Sequence, residues 1–375
     1  MRLNKIIAGI VAATALAACS NDNLDNYVTC PDEDAMILFS ANTELPETRA
    51  DGYRDWETTD PTTMGVFGWH STSLGSEPTE ANRMFNNTQN SYIESTESTE
   101  STWSYSNPLF WADYTQYNNF LFFAYMPYME DATLSYADNA CTLTTPMVTL
   151  ADSNPITSDE TALICHVPRT DVAPGENPIA FQMDQTLAAY SLSFTLGNKM
   201  DQVRYFKIKS VKLYTEGEKK LAYKGTISRT YTTSGPGEIT WTVGDDDKTK
   251  IAQGSAIKVP KIDTDDELKT DTDDDFIIVG TKTLWCKAFY AIPGVEFNPT
   301  IEITYDVQYK PDDESDAIVV TRQNVTSKIQ LNSTNFPALV NTLAGKKYPI
   351  EINIVPKYLY VLADNDQLFG LEIKN

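Results

Sequence analysis

The sequence predicts an all-β protein made of two tandem antiparallel β-sandwich domains. Runs rich in Val, Ile, Thr, Tyr and Phe recur along the chain, and several alternate between apolar and polar residues, as in Ile301–Val307. Gly, Pro, Asn and Asp interrupt these runs at short intervals, which is typical of sandwiches with many short strands. Helical periodicity is scarce, and Phe336–Leu343 is the best candidate for one or two turns. The predicted strands are Met36–Ser40, Met64–Trp69, Phe120–Tyr125, Thr142–Leu150, Ala162–Val167, Leu187–Leu196, Phe206–Tyr214, Leu221–Arg229, Ile239–Val243, Phe276–Val279, Leu284–Ala291, Thr300–Tyr309, Ala317–Thr321, Tyr348–Val355 and Tyr358–Leu362.

A stiff polar connector, Val172–Pro178, separates two series of strands and sets the expected domain border. Its Pro and Gly residues interrupt regular structure. We therefore place an N-terminal domain at residues 36–177 and a C-terminal domain at residues 178–375. The border is set to within about ten residues, because boundaries are the least precise feature that a single sequence gives.

The N-terminus predicts an exported bacterial lipoprotein. Two basic residues, Arg2 and Lys5, precede an apolar stretch that ends in Leu16-Ala17-Ala18-Cys19. A charged segment, an apolar segment and small residues together form a secretory signal, and Cys19 stands where bacterial lipoprotein processing attaches lipid. We expect residues 1–18 to be removed, Cys19 to anchor the chain to a membrane, and residues 19–35 to form a polar tether. The alternative is an ordinary secreted protein with an incidental Cys.

Composition narrows the range of partners. The net charge of -23 at pH 7 repels phosphates and anionic headgroups, so we expect no nucleic-acid partner. Hydrophobic residues make up 41% of the chain and aromatic residues 11%, which is enough to fill real cores. Besides Cys19 the chain has Cys30, Cys141, Cys165 and Cys286, which allow three disulfide pairings or buried thiols.

No motif of a catalytic, cofactor or metal site stands out, so we expect neither an enzyme nor a bound metal or cofactor. The two histidines, His70 and His166, each adjoin a predicted strand, and we assign them structural roles. Acidic residues at 263–267 and 271–275 resemble the beginning of a calcium loop. Leu268 stands where such a loop needs Gly, which favours a solvated acidic loop.

Four groups of segments occur in an order that resembles the fimbrillin family, the pilins of Bacteroidales type V pili. The family has an apolar strand, a Thr-Arg-Ala loop, an Ile/Met-Gly-Val-Phe strand and, later, an aromatic strand that ends in Pro. One departure is Gln182–Asp184, where relatives usually carry a His. The four groups are Met36–Ser40 with Thr48-Arg49-Ala50, Trp56 and Met64–Gly68; Phe110-Trp111 with Phe120–Pro127; Ile179–Leu196; and Gly345–Ile352.

This resemblance implies transthyretin-like sandwich domains and a processed lipoprotein of the outer membrane. In the family, an N-terminal strand completes the first domain until a trypsin-like surface protease cuts after an Arg and the strand leaves. Residues 20–49 would then be the released pro-segment, with residues 36–49 as the removable strand and loop. Arg49 is the expected cleavage site and Arg54 a second possibility; the alternative is a protein that stays intact and lipidated, as an anchor or tip subunit. The displaced strand would consist of Met36, Ile37, Leu38, Phe39 and Ser40.

The resemblance also implies that an extended segment of the next subunit fills the vacated groove by strand addition. We expect this donor in residues 357–375, which hold two short alternating segments. Either the last or the penultimate segment could serve, and each could instead close the sheet of its own C-terminal domain. The donor residues would be Tyr358, Leu359, Tyr360, Val361 and Leu362, or Phe369, Leu371 and Ile373.

The sequence thus predicts a structural pilin subunit of a cell-surface fimbria that supports adhesion. Its partners would be other pilin subunits in a homo- or hetero-polymer, the outer membrane through the lipid anchor, and the protease. The main alternative is a monomeric outer-surface lipoprotein that binds glycans, which would need aromatic rings exposed together on one face. Trp103, Trp111 and Trp241 could belong to such a platform or to the core. An enzyme is the third reading.

Overall fold

The computed structural model confirms the all-β fold class. It describes residues 36–44, 53–55, 62–71, 76–94, 102–152, 155–156, 165–166, 170–172, 175, 177–196, 204–232, 235–259, 261–262, 268–269, 277–278, 282–309, 319–339, 341–356 and 369–373. Regular structure in these residues consists of β-strands and short 3-10 helices. No helix within them has the length and apolar character to cross a bilayer. The 3-10 helices span Trp111–Tyr114, Asp245–Asp247, Gln253–Ser255 and Pro337–Leu339.

Most of the N-terminal strands join one sheet that closes on itself through β10 and β6, with β11 paired to β6 beside the closure. Its order is β10-β12-β1-β5-β4-β3-β6-β11, with β2 paired to β1. Strand β10 also pairs with β6, so the order closes into a ring. These strands pair antiparallel, except that β1 and β12 run parallel. The strands in this part of the chain are β1 (Phe39–Glu44), β2 (Tyr53–Asp55), β3 (Thr63–Ser71), β4 (Arg83–Ile93), β5 (Thr102–Tyr105), β6 (Asn119–Met126), β7 (Thr133–Ala137), β8 (Ala140–Thr144), β9 (Val148–Thr149), β10 (Cys165–His166), β11 (Thr170–Val172) and β12 (Ile179–Gln185).

Strand β6 has an apolar sequence without alternation, Asn-Phe-Leu-Phe-Phe-Ala-Tyr-Met, because both of its faces are covered. Phe120 and Phe122 belong to the core enclosed by the ring. On the opposite face, Leu121 and Phe123 pack in a second cluster that contains Tyr231 from the C-terminal half. The ring is therefore packed both inside and, along β6, outside.

The C-terminal half forms two sheets that enclose a core. One sheet has the order β23-β13-β26-β27 and the other β19-β14-β24-β25, with β22 paired to β14. Tyr190 and Phe194 of the first sheet and Phe206 and Tyr305 of the second belong to one buried cluster. The strands here are β13 (Ala188–Leu196), β14 (Arg204–Tyr214), β15 (Leu221–Ala222), β16 (Lys224–Thr232), β17 (Gly235–Thr242), β18 (Lys248–Thr249), β19 (Ile257–Lys258), β20 (Lys261–Ile262), β21 (Leu268–Lys269), β22 (Ile277–Ile278), β23 (Thr283–Ala291), β24 (Thr300–Tyr309), β25 (Val319–Gln330), β26 (Lys347–Pro356) and β27 (Phe369–Ile373).

A further sheet takes strands from both halves of the chain. Its order is β17-β16-β8-β7, and β9 also pairs with β16. Leu143 of β8 lies opposite Arg229 of β16 in this register. The pairing of residues 140–149 with residues 224–231 was not apparent from the sequence, since it joins segments far apart in the chain.

The chain passes between the two main parts shortly after the connector Val172–Pro178. Strand β12 follows the connector directly but pairs with β1 in the ring. The next strand, β13, already lies in a C-terminal sheet, where it pairs with β23 and β26. Residues 186–187 therefore mark the crossing from one sheet to the other.

Candidate functional site

The place of β1 in the ring is the feature on which the expected strand exchange depends. Its residues Phe39–Thr43 pair in parallel with Ile179–Met183 of β12. On the other side Phe39 lies opposite Trp103 of β5, and Asn42–Glu44 pair with β2. Strand β1 is therefore an inner strand of the ring and not one of its margins.

Two side chains of this segment reach the core. Ile37 is fully buried and Phe39 is 2% exposed. The ring of Phe39 stacks on Phe181 at 5.4 Å between centroids and meets the edge of Phe85 at 5.3 Å. Full burial of such side chains contributes about 1.5–3 kcal/mol each, so the segment stabilises the domain that holds it.

The backbone just before β1 is held on both sides. The N–H of Ile37 donates to the carbonyl oxygen of Leu109 at 2.9 Å, and the N–H of Ile179 donates to the carbonyl oxygen of Leu38 at 2.8 Å. Met36 forms an isolated antiparallel bridge with Phe110. Main-chain pairing thus begins before the first residue of the regular strand.

Two side chains from other segments also bind this backbone. The Asn177 amide donates from Nδ2 to the carbonyl oxygen of Met36 at 2.8 Å, and its Oδ1 accepts from the N–H of Leu38 at 2.7 Å. The Tyr105 hydroxyl donates to the carbonyl oxygen of Ile37 at 2.9 Å. Burial raises the pKa of Tyr105, so this hydroxyl keeps its proton over the whole neutral range.

The segment predicted to be displaced and strand β1 overlap only in part. We expected Met36–Ser40, whereas β1 spans Phe39–Glu44. Of the predicted residues, Met36, Ile37 and Leu38 are paired but precede the strand, and Phe39 and Ser40 begin it. The chain continues as a paired strand up to Glu44, into the segment that we had expected to be a loop.

Strands β1 and β2 are antiparallel neighbours connected by residues 45–52. Arg49 belongs to that connection and lies outside the described residues, as does Cys19. The second candidate, Arg54, lies on β2 opposite Thr43. A cut at either Arg separates β1 from most of the chain that follows.

The C-terminal donor candidates are described only in part. Strand β27 pairs antiparallel with β26, where Ile373 lies opposite Ile352 and Phe369 opposite Pro356. Phe369, Leu371 and Ile373 thus lie at one margin of a C-terminal sheet, the alternative place that the sequence left open. Tyr358, Leu359, Tyr360, Val361 and Leu362 lie outside the described residues.

No protein-family model and no curated protein matches the chain, but several solved structures are similar in fold. A fimbrial protein from Bacteroides vulgatus is 16% identical, with a TM-score of 0.49 over 90% of this chain and 98% of that one. A putative cell adhesion protein from Bacteroides uniformis is 14% identical, with a TM-score of 0.39 over 90% and 97%. One from Parabacteroides distasonis is 11% identical, with a TM-score of 0.40 over 91% and 96%. These structural neighbours are a fimbrial protein and two putative cell adhesion proteins.

One histidine and two cysteines among the described residues have buried side chains. His70 is buried against the ring of Tyr117, at 3.6 Å between centroids, and burial lowers its pKa. The thiols of Cys141 and Cys286 are buried. Cys30, the side chains of Cys165 and His166, and the acidic residues at 263–267 and 271–275 lie outside what is described. Within the described part of the chain, no cluster of three or more His, Cys, Asp or Glu residues could hold a metal.

The aromatic side chains of the described residues are mostly internal. Trp103, Trp111 and Trp241, the candidates for a sugar-binding platform, are between 3% and 8% exposed. Among the aromatic residues whose side-chain burial is described, Phe110, at 39%, is the one that is exposed. These tryptophans therefore belong to the core and do not form a surface platform.

Sequence reasoning missed the contacts that other segments make with this backbone. Asn177 stood in a connector rich in Pro and Gly, where an Asn normally indicates a turn. Tyr105 stood in no predicted strand. Their roles depend on segments far apart in the chain, and no local periodicity marks such a contact.

Proposed function

We propose that the chain is a structural pilin subunit of a surface fimbria, assembled by donor-strand exchange. The observation that carries this proposal is the place of β1, an inner strand between β12 and β5 whose segment buries Ile37 and Phe39. A strand in this position leaves a defined gap when it departs. The sequence resemblance to the fimbrillins supplies the reason to expect that departure.

The gap left by β1 would favour the entry of another strand. Two neighbouring strands would lose their hydrogen-bond partners, and unpaired backbone groups in a buried place cost about 1–3 kcal/mol each. The spaces that hold Ile37 and Phe39 would become open to water. An extended segment with apolar residues at alternate positions satisfies both demands, which is the physical basis of strand addition.

In this proposal the precursor is lipidated at Cys19 and anchored to the outer membrane. A trypsin-like surface protease then cuts after Arg49, within the connection between β1 and β2, or after Arg54. The pro-segment leaves with β1. A segment within residues 357–375 of another subunit takes its place, and the polymer supports adhesion at the cell surface.

The first experiment determines the N-terminus of the protein recovered from the cell surface. A chain that begins at Ala50 and forms heat-resistant ladders on a gel is expected. If the cut falls after Arg49, the Arg49→Ala variant loses the ladders and the Arg54→Ala variant retains them; a cut after Arg54 gives the reverse. Protein that begins only at lipidated Cys19 and forms no ladder contradicts the proposal, and its retention on a polysaccharide column would favour the glycan-binding alternative.

The second experiment truncates the chain after Lys357. Loss of polymers, with the monomer still folded by circular dichroism, is the expected result. Polymers that persist would place the donor elsewhere in the chain. If the polymers are lost, a truncation after Gln367 separates the two donor candidates, since it removes Phe369–Ile373 and keeps Tyr358–Leu362.

A further inference from the structure

Two side chains from other segments bind the backbone of the tripeptide Met36–Leu38, whose middle residue, Ile37, buries its side chain in the core. Asn177 bridges the carbonyl oxygen of Met36 and the N–H of Leu38, at 2.8 and 2.7 Å, so its amide spans the residue between them. This geometry copies the pairing of a neighbouring strand with a single side chain. It uses no atom of the Met36 or Leu38 side chains.

Tyr105 completes the contact from the other side. Its hydroxyl donates to the carbonyl oxygen of Ile37 at 2.9 Å and accepts from the N–H of Leu109 at 3.3 Å. Asn177 precedes β12 and Tyr105 ends β5, and these are the two strands that flank β1. Each flanking strand thus contributes one side chain at the same end of the gap.

We propose that Asn177 and Tyr105 form a clasp for the backbone of whichever strand occupies the place of β1. It first holds the pro-segment of its own chain, called the leader below, and then the extended segment of a second copy of this chain. The second half of this statement rests on the proposed function. Because the clasp contacts only backbone atoms, side-chain selection is left to the buried positions of Ile37 and Phe39.

The clasp sets a requirement for the incoming segment. It must present apolar residues at two alternate positions, and the residue before the first of them can vary. Phe369, Leu371 and Ile373 alternate in this way in the sequence, and so do Leu359 and Val361. The clasp therefore accepts either donor candidate and fixes where its first paired residues lie.

Hydrogen–deuterium exchange of the full-length chain tests the clasp without any strand exchange. Asn177→Ala should speed the exchange of the Leu38 amide about tenfold, which is the change expected from the loss of one hydrogen bond. The amide of Ala189, which donates to Lys346 in the C-terminal half, should not change. Asn177→Asp keeps the acceptor and should preserve the protection of Leu38. The exposed Asn118 provides the matched control, Asn118→Ala. An unchanged Leu38 amide in Asn177→Ala would overturn the proposal.

A second measurement follows the strand that replaces the leader. A site-specific protease sequence placed within residues 45–52 of the full chain allows the leader to be cut while it stays bound. Release of the leader and entry of a labelled peptide of residues 357–375, the proposed donor, are then timed. Asn177→Ala and Tyr105→Phe should each release the leader about tenfold faster than the wild-type chain.

The two proposals fail in different ways. If the cut wild-type chain exchanges its leader but both variants do so at the same rate, the clasp is wrong and the strand exchange stands. If the cut wild-type chain never admits the peptide, the proposed function fails. The amide exchange of Leu38 then still decides whether Asn177 holds the leader.

Discussion

Single residues decide how closely the strands of the ring can approach. Gly68 of β3 lies beneath the ring of Phe122. A Cβ built at this position would come within 2.5 Å of that ring and within 3.2 Å of the Phe85 ring. These aromatic side chains are fully buried or nearly so. A glycine in the interior of a strand is therefore required here by packing.

We expect Gly68→Ala to lower the free energy of unfolding by about 1–3 kcal/mol, the usual cost of overpacking a core. Chemical denaturation provides the measurement. Gly254→Ala is the control, because a Cβ there meets nothing within 4 Å. Equal stability of the two variants would show that the aromatic rings move aside freely.

Buried tyrosines make stability depend on alkaline pH. Burial raises the pKa of Tyr125 to about 12, and its hydroxyl lies 2.7 Å from Asn87 Oδ1. The pKa values of Tyr190 and Tyr231 are also raised by burial. An unfolded tyrosine titrates near pH 10, so above that pH the folded chain retains protons that the unfolded chain has lost.

The contribution of these tyrosines to the free energy of unfolding should therefore be constant up to about pH 10 and fall as the pH rises toward 12. Urea denaturation across this range provides the measurement. Tyr125→Phe removes one titrating group, so its stability, although lower at neutral pH, should fall less steeply. An identical slope in the variant and the wild type would contradict this assignment.

Pairs of elements are connected by a few specific contacts. The indole N–H of Trp241 on β17 donates to the carbonyl oxygen of Thr186 at 2.7 Å. Thr186 lies at the crossing between β12 and β13, so this bond connects the sheet β17-β16-β8-β7 to the point where the chain leaves the ring. Both residues are buried, which makes an unpaired partner costly.

Trp241→Phe should lower the free energy of unfolding by about 1–3 kcal/mol, because the carbonyl group of Thr186 would be left buried and unpaired. Thr240→Ala on the exposed face of the same strand is the control. Thermal and urea denaturation should agree on the difference. A neutral Trp241→Phe would show that water reaches Thr186.

Local patterns identified several elements correctly, and their partners could not be predicted. Strand β24 has the predicted bounds, and β13 begins one residue after its predicted start. The parallel partner of β1 and the sheet shared by β8 and β16 depend on contacts over more than 80 residues, for which an alternating pattern carries no information. Among the described residues of the predicted helical segment, Pro337–Leu339 form a single 3-10 turn. The apolar residues Phe336 and Leu339 are buried in the core of the C-terminal half.

For the candidate site, the local pattern predicted the burial of the first strand but not where the strand ends. The apolar run around Ile37 and Phe39 indicates a buried strand, and both side chains are in the core. Its end at Glu44 was missed because Asn, Thr and Glu favour loops, whereas pairing with β2 and β12 keeps them extended. The predicted cleavage at Arg49, lipidation at Cys19 and donor segment stay predictions.

At the scale of the whole molecule, a charged pair connects the ring to the sheet β17-β16-β8-β7. Arg229 Nη1 of β16 lies 2.6 Å from Asp184 Oδ2 of β12, and Arg229 also donates to the carbonyl oxygen of Gly237 at 2.9 Å. Arg229 is 8% exposed. The Asp184 side chain is 24% exposed, so the pair is partly buried and should couple more strongly than a fully exposed one.

A double-mutant cycle with Arg229→Met and Asp184→Asn should give a coupling energy of about 0.5–3 kcal/mol. The exposed pair Lys250–Glu218, at 2.8 Å, is the control and should couple more weakly. Both cycles are measured by urea denaturation. Equal coupling in the two cycles would show that the junction is open to solvent.

The closure of the ring between β10 and β6 governs when subunits can associate through it. Around the circle from β10 to β6 each strand has a partner on both sides, so a further strand can pair between them only after one has left. A second subunit can then enter the ring only where a strand has departed. In the proposed assembly, cleavage of the precursor and not the concentration of subunits would open that place.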